Sequence, residues 1–150
     1  MITVTSEQFD VLKDRALNTP RGVIDTEIKS LVVRVNRHPR MATVWSCSGH
    51  PNRMEHGYLV IAAPPDGKVA LENLIHLVLT DNAKSLDTPD ITCEIDYLRW
   101  VFDETYPEEK INLLDLPLYP AIIFRWDGDK AQTIKHAIMT LTNLISRVTR

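Results

Sequence analysis

Between Trp45 and His50 the chain places two hydroxyls (Ser46, Ser48), a thiol (Cys47), a glycine (Gly49) and an imidazole (His50) within six residues. Such a stretch can form a polar binding loop. Gly49 permits positive φ or close approach of a ligand, and successive amides with two hydroxyls can cradle a carboxylate or phosphate. In that reading His50 is the acid/base or electrostatic partner, Ser46 and Ser48 orient the bound molecule, and Arg53 adds a fixed positive fork. Trp45, Cys47, Gly49, Asp25 and His56 complete the candidate ligand-binding set. The structural alternative is a tight turn in which Ser46 and Ser48 satisfy nearby backbone groups.

Two further chemistries use the same residues. Cys47-x2-His50-x5-His56 offers a thiolate and two imidazoles to zinc, with Cys93 as a fourth ligand if its strand lies alongside. This spacing matches no common zinc finger, and a chain of 150 residues can build its core without a metal. Cys47 as a nucleophile, with His50 or His56 as its base, lacks an evident third group to orient the imidazole.

The elements that must position these residues follow from apolar spacing. Thr5 and Gln8 have capping-box spacing, and Phe9, Leu12, Ala16 and Leu17 follow at helical intervals. A second helix is expected from Asp25 as N-cap, with Ile28, Leu31, Val32 and Val35 on one stripe and His38-Pro39 ending it. Ala42 to Trp45 reads as a strand running into the polar loop, and Gly57 to Ala63 as a buried strand. Val69 to Leu79 has helical spacing, and Ile91 to Phe102 alternates as a half-solvated strand. Residues 103–118 form an acidic, proline-punctuated connection with a short element at Ile111 to Leu114. Ala121 to Trp126 is a further strand, and Asp127-Gly128-Asp129 leads into a long final helix. The order predicts a single α+β domain over 1–150, two layers deep, with a mostly antiparallel sheet of about four strands and helices packed on one face.

Taken together, Phe9, Lys13, Arg21-Gly22-Val23-Ile24-Asp25-Thr26-Glu27-Ile28, Leu31, Val35-Asn36, Pro39 and Thr43-Val44-Trp45-Ser46-Cys47-Ser48-Gly49 resemble the opening of the wybutosine-synthesis methyltransferase family, the third protein of the tRNA wyosine pathway. That family has a Gly-(Val/Ile)-Asp helix start, an Asn near the helix end and a Thr-x-Ser-Cys-Ser-Gly-Arg loop in the same order. The resemblance covers about residues 9–50. It implies an α+β fold with a polar cleft lined by residues 46–49 and, as cofactor, S-adenosylmethionine for methylation of a tricyclic tRNA base. Where the family carries Ser and Arg at the ends of the loop, this chain has Trp45 and His50, and a neutral imidazole does not reproduce a bidentate guanidinium. The loop is also similar to a Ser-Cys-x-Gly-His form in small bacterial and phage-encoded proteins.

Composition sets the outer limits. With 44% hydrophobic and 25% charged residues the chain reads as globular, not collagenous, disordered or membrane-spanning. No apolar run approaches the roughly 20 residues of a spanning helix, and no leader pattern is evident, so a cytoplasmic location with reduced thiols is expected. The net charge of −3 argues against sequence-blind nucleic-acid binding. That charge is unevenly spread: residues 1–60 carry eight Lys/Arg against six Asp/Glu, 61–127 five against thirteen, and 128–150 four against one. The positive stretch 21–53 contains the candidate loop. A small polar or anionic ligand, such as a nucleotide or modified base, is therefore the expected partner, held either for catalysis or for recognition alone. The third alternative is an interaction protein docking through its acidic middle.

Overall fold

The computed structural model describes residues 5–18, 26–49, 56–64, 69, 71–74, 76, 91–99, 118–128 and 130–148. Helix α1 spans Ser6–Asn18, and the expected capping box is formed in both directions: Gln8 Oε1 accepts from the Thr5 amide at 2.8 Å, and the Gln8 amide donates to Thr5 Oγ1 at 3.2 Å. The second helix departs from expectation at its start. A 3-10 turn covers Thr26–Ile28, and the α-helix α2 covers Lys29–Arg37 with Ile28 at its N-cap and no side-chain cap. Asp25, the expected cap, lies outside the described residues. Leu31, Val32 and Val35 form the predicted buried stripe.

Four strands make one antiparallel sheet in the order β1-β2-β4-β3: β1 is Ala42–Cys47, β2 Gly57–Ala62, β3 Thr92–Arg99 and β4 Leu118–Trp126. The α+β class and the sheet are thus as expected. Two strand boundaries among the described residues differ by more than one residue. β1 continues through Ser46 and Cys47, which had read as loop, and β4 begins at Leu118, so Tyr119 and Pro120 belong to the sheet. Both extensions lie opposite partner strands, whose ladder hydrogen bonds override the local turn preference of Ser and Pro. A final helix, α3, spans Ala131–Val148. Residues 69, 71–74 and 76 are helical within the expected third helix, whereas the element expected at Ile111 to Leu114 lies outside the described residues.

Successive residues of a strand face opposite ways, and the two core clusters sit on the two faces of the sheet. Leu59, Ile61, Ile122 and Phe124 meet α2, α3 and the helical segment with Leu71 and Leu74. Val60, Ala62, Ala121 and Ile123 point the other way and meet Phe9 and Leu12 of α1. The expectation of all helices on one face holds for α2, α3 and the Leu71 segment but not for α1, which covers part of the opposite face and adds a third layer there. The physical reason lies in the central strands. The unbroken apolar runs of β2 and β4 need cover on both sides, whereas the outer strand β3 exposes Glu94 to Tyr97 in succession, so of its expected inner face only Ile91 and Cys93 pack against the core.

Candidate functional site

Because β1 extends to Cys47, the candidate stretch is divided by strand alternation. Ser46 lies opposite Leu59 on the α3 side of the sheet. Trp45 lies opposite Val60, and Cys47 opposite Tyr58, on the α1 side. A register shift between Thr43 and Trp45 inserts Val44 and turns both Val44 and Trp45 to that side. Trp45 to Gly49 consequently do not line one cleft.

Beyond β1 the chain is held by the end of β4. The Trp126 indole donates to the Ser48 carbonyl at 2.9 Å, and the Ser48 hydroxyl donates to the Gly49 carbonyl at 3.1 Å. Ser48 is buried. Gly49 has φ of +97°, and a Cβ there would come within 2.6 Å of Gly128 Cα. The two backbones cross so closely that a side chain at 49 would collide with Gly128, and the positive φ favours glycine there as well. Gly57, at the start of β2, is under the same constraint: a Cβ there would overlap the Trp126 indole.

Gly49 forms part of the wall of a cavity of about 340 Å³. The 3-10 turn contributes Glu27, and α3 contributes Ala131, Ile134, Lys135 and Met139. A shallower depression along α3, with Gln132, His136 and Asn143, shares Ala131, Lys135 and Met139 with it. Of the expected ligand residues, Gly49 alone among the described ones lines this cavity. Asp25, His50 and Arg53 lie outside the described residues, and His56 is exposed just before β2. Glu27 and the α3 residues were missed. Glu27 belongs to the helix-start motif, but Lys135 and Met139 carry no sequence signal beyond their place on an amphipathic helix.

Other motif residues serve the scaffold. Lys13 Nζ donates to the carbonyls of Asn36, His38 and Met41, tying α1 to the end of α2. Burial lowers its ammonium pKa to about 8. Buried Asn36 accepts from the Thr43 amide at 2.9 Å and donates to Thr43 Oγ1 at 2.8 Å, joining α2 to β1. Lys13, Asn36 and Thr43, which belong to the motif frame, thus hold the helix against the strand that leads to Gly49.

No family model, curated protein or solved structure matches the chain.

The thiols also part company. Neither cysteine is in a disulfide, and Cys47 is on one outer strand and Cys93 on the other, facing opposite sides of the sheet. Three strand spacings of about 4.8 Å separate those edges, so Cys93 drops out of the zinc set considered with Cys47, His50 and His56. Among the described residues no group of three or more His, Cys, Asp or Glu is arranged to hold a metal. Burial, with Glu94 alongside, raises the Cys93 thiol to about 11. Among the described residues no helix is long and apolar enough to cross a membrane.

Proposed function

We propose that this chain binds a small polar or anionic ligand with a planar ring, of the nucleotide or modified-base kind, in the cavity at Gly49. The observation that carries this reading is the convergence of the 3-10 turn, the Gly49 backbone and the start of α3 on one concavity. Its volume lies in the usual range for small-ligand sites, roughly 300–1,000 Å³. The chemistry is mixed in the required way. Ile134 and Met139 offer apolar surface to a ring, Lys135 offers a cation to a phosphate or carboxylate, and Glu27 accepts from an amino edge or faces a cation.

S-adenosylmethionine, the cofactor implied by the resemblance to the wyosine-pathway methyltransferases, combines an adenine, a carboxylate and a sulfonium cation. Ile134 and Met139 would lie against the adenine, Lys135 would pair with the carboxylate and Glu27 would face the cation. When bound, it supplies a transferable methyl group. The ligand panel therefore consists of S-adenosylmethionine and AMP, each read by thermal shift and calorimetry as the effect beyond that of adenosine. At least one member should raise the melting temperature of the wild type. Lys135→Ala and Glu27→Gln, both at exposed positions, should retain the unliganded melting temperature and lose that rise. A wild type that responds to none of the panel, or variants that respond as the wild type does, would overturn the reading.

A second reading, in which the motif residues serve only as scaffold, is favoured by the burial of Ser48 and Asn36 within hydrogen-bonded contacts. It predicts the first of those negative outcomes.

A further inference from the structure

The face of the sheet that α1 covers in part carries a second depression, of about 470 Å³. Val60 and Ile123 form its floor, and Trp45, Tyr58, Leu98 and Arg125 surround them. The sheet register explains the grouping. Trp45, Val60, Ile123 and Glu94 form one row across the four strands, and Cys47, Tyr58, Arg125 and Thr92 form the next. Trp45 and Tyr58 are therefore diagonal neighbours on adjacent strands, a separation that aromatic side chains span. Trp45 is 51% exposed and Tyr58 37%. A tryptophan and a tyrosine presented to solvent over an apolar floor, with a guanidinium beside them, offer three π surfaces to a flat ligand.

The surrounding charges narrow the ligand further. Arg125 is ion-paired with Glu94 across the strands, and Asp96, also exposed, lies two residues farther along β3 on this same face. Among the described strand residues of this face, two carboxylates stand against one already-paired cation, a poor track for phosphates, the source of most affinity for a nucleic-acid strand. Arg125, opposite Tyr58 in the register and ion-paired on its other side with Glu94, instead supplies guanidinium donors beside that ring, matching the acceptor atoms on the edge of a base. We propose that this face is a binding site for a neutral, phosphate-free nucleoside, a purine in preference to a pyrimidine because of its larger ring. It lies on the opposite side of the sheet from the Gly49 cavity and does not rest on the reading given for that cavity.

The test is titration of the full chain with adenosine, guanosine, cytidine and AMP, followed by calorimetry and by the indole N–H signals of the three tryptophans in NMR. The Trp45 signal should move saturably with the purine nucleosides, while that of Trp126, buried against Ser48, should stay in place. Read at the Trp45 signal, AMP should bind no more tightly than adenosine. Loss of a stacking partner costs about tenfold or more in affinity, so Trp45→Ala and Tyr58→Ala should each weaken adenosine by that factor. Lys135→Ala should leave this binding unchanged. Nucleoside binding that survives Trp45→Ala and Tyr58→Ala but disappears in Lys135→Ala would overturn this proposal and leave the Gly49 reading standing. A Trp45 response that depends on the phosphate of AMP, or no movement of the Trp45 signal up to the solubility limit of the nucleosides, would also overturn it.

Discussion

At the scale of single residues, the turn after α2 concentrates positive charge around an imidazole. His38 Nδ1 accepts from the Arg40 amide at 3.0 Å, while the His38 carbonyl accepts from Lys13 Nζ at 2.7 Å. Burial, then the positive charges of Lys13 and Arg40, lower the His38 pKa below its ordinary 6.5. On acidification through that value the unfolded chain takes up a proton that the folded chain still refuses, so folding stability must fall. His38→Asn keeps a short-range acceptor for the Arg40 amide and removes the titration. We expect the urea midpoint of the wild type to decline more between pH 7 and pH 5 than that of His38→Asn. Parallel profiles for the two proteins would show that His38 contributes nothing to the acid sensitivity. Asn36 and Lys13 illustrate how far such roles can be read in advance. Only the resemblance to the wyosine-pathway family singled them out in the sequence, and the groups they engage become neighbours only when α1, α2 and β1 are packed together.

At the scale of elements, the start of β2 and the end of β4 meet with no room to spare. Gly57 lies opposite Trp126 in the sheet register, and the fully buried indole occupies the space that a side chain at 57 would need. Gly57→Ala should therefore destabilise the fold by about 1–3 kcal/mol through overpacking. For a chain of this length each kcal/mol is about 2–4 °C in melting temperature, so a loss of several degrees in calorimetry is expected. An unchanged melting temperature would mean that the indole can move aside at little cost, and the hold of Trp126 on Ser48 would then be weak. Helix and strand identities were largely legible, because apolar period and capping chemistry are local properties: Thr5 and Gln8 cap α1 as their spacing indicates. The ends of β1 and β4 were not. Ser46-Cys47 and Tyr119-Pro120 are strand only because partner strands pair with them.

At the scale of the whole molecule, the order β1-β2-β4-β3 puts the outer strands far apart and assigns the two thiols to different surfaces. A short thiol-bridging reagent such as dibromobimane should fail to link Cys47 to Cys93 in the folded protein and should link them in urea, as read by mass spectrometry. Bridging at the same rate in both states would contradict the sheet order. The same topology separates two candidate surfaces, the Gly49 cavity on the α3 side and the Trp45–Tyr58 face on the α1 side.

By itself, the sequence determined the α+β class, the helical and strand periods, the positive-φ-tolerant glycine at 49 and the concentration of reactive side chains between 45 and 50. These are consequences of residue type and short-range spacing. Only the tertiary structure decided that α1 crosses to the far face and that Trp45 and Cys47 turn away from Ser46. It also decided that Glu27 and Lys135 join Gly49 around one cavity. Pairing register and layer packing bring together residues far apart in the chain, and a strand sends consecutive side chains to opposite sides, so closeness in sequence is no measure of closeness at a site.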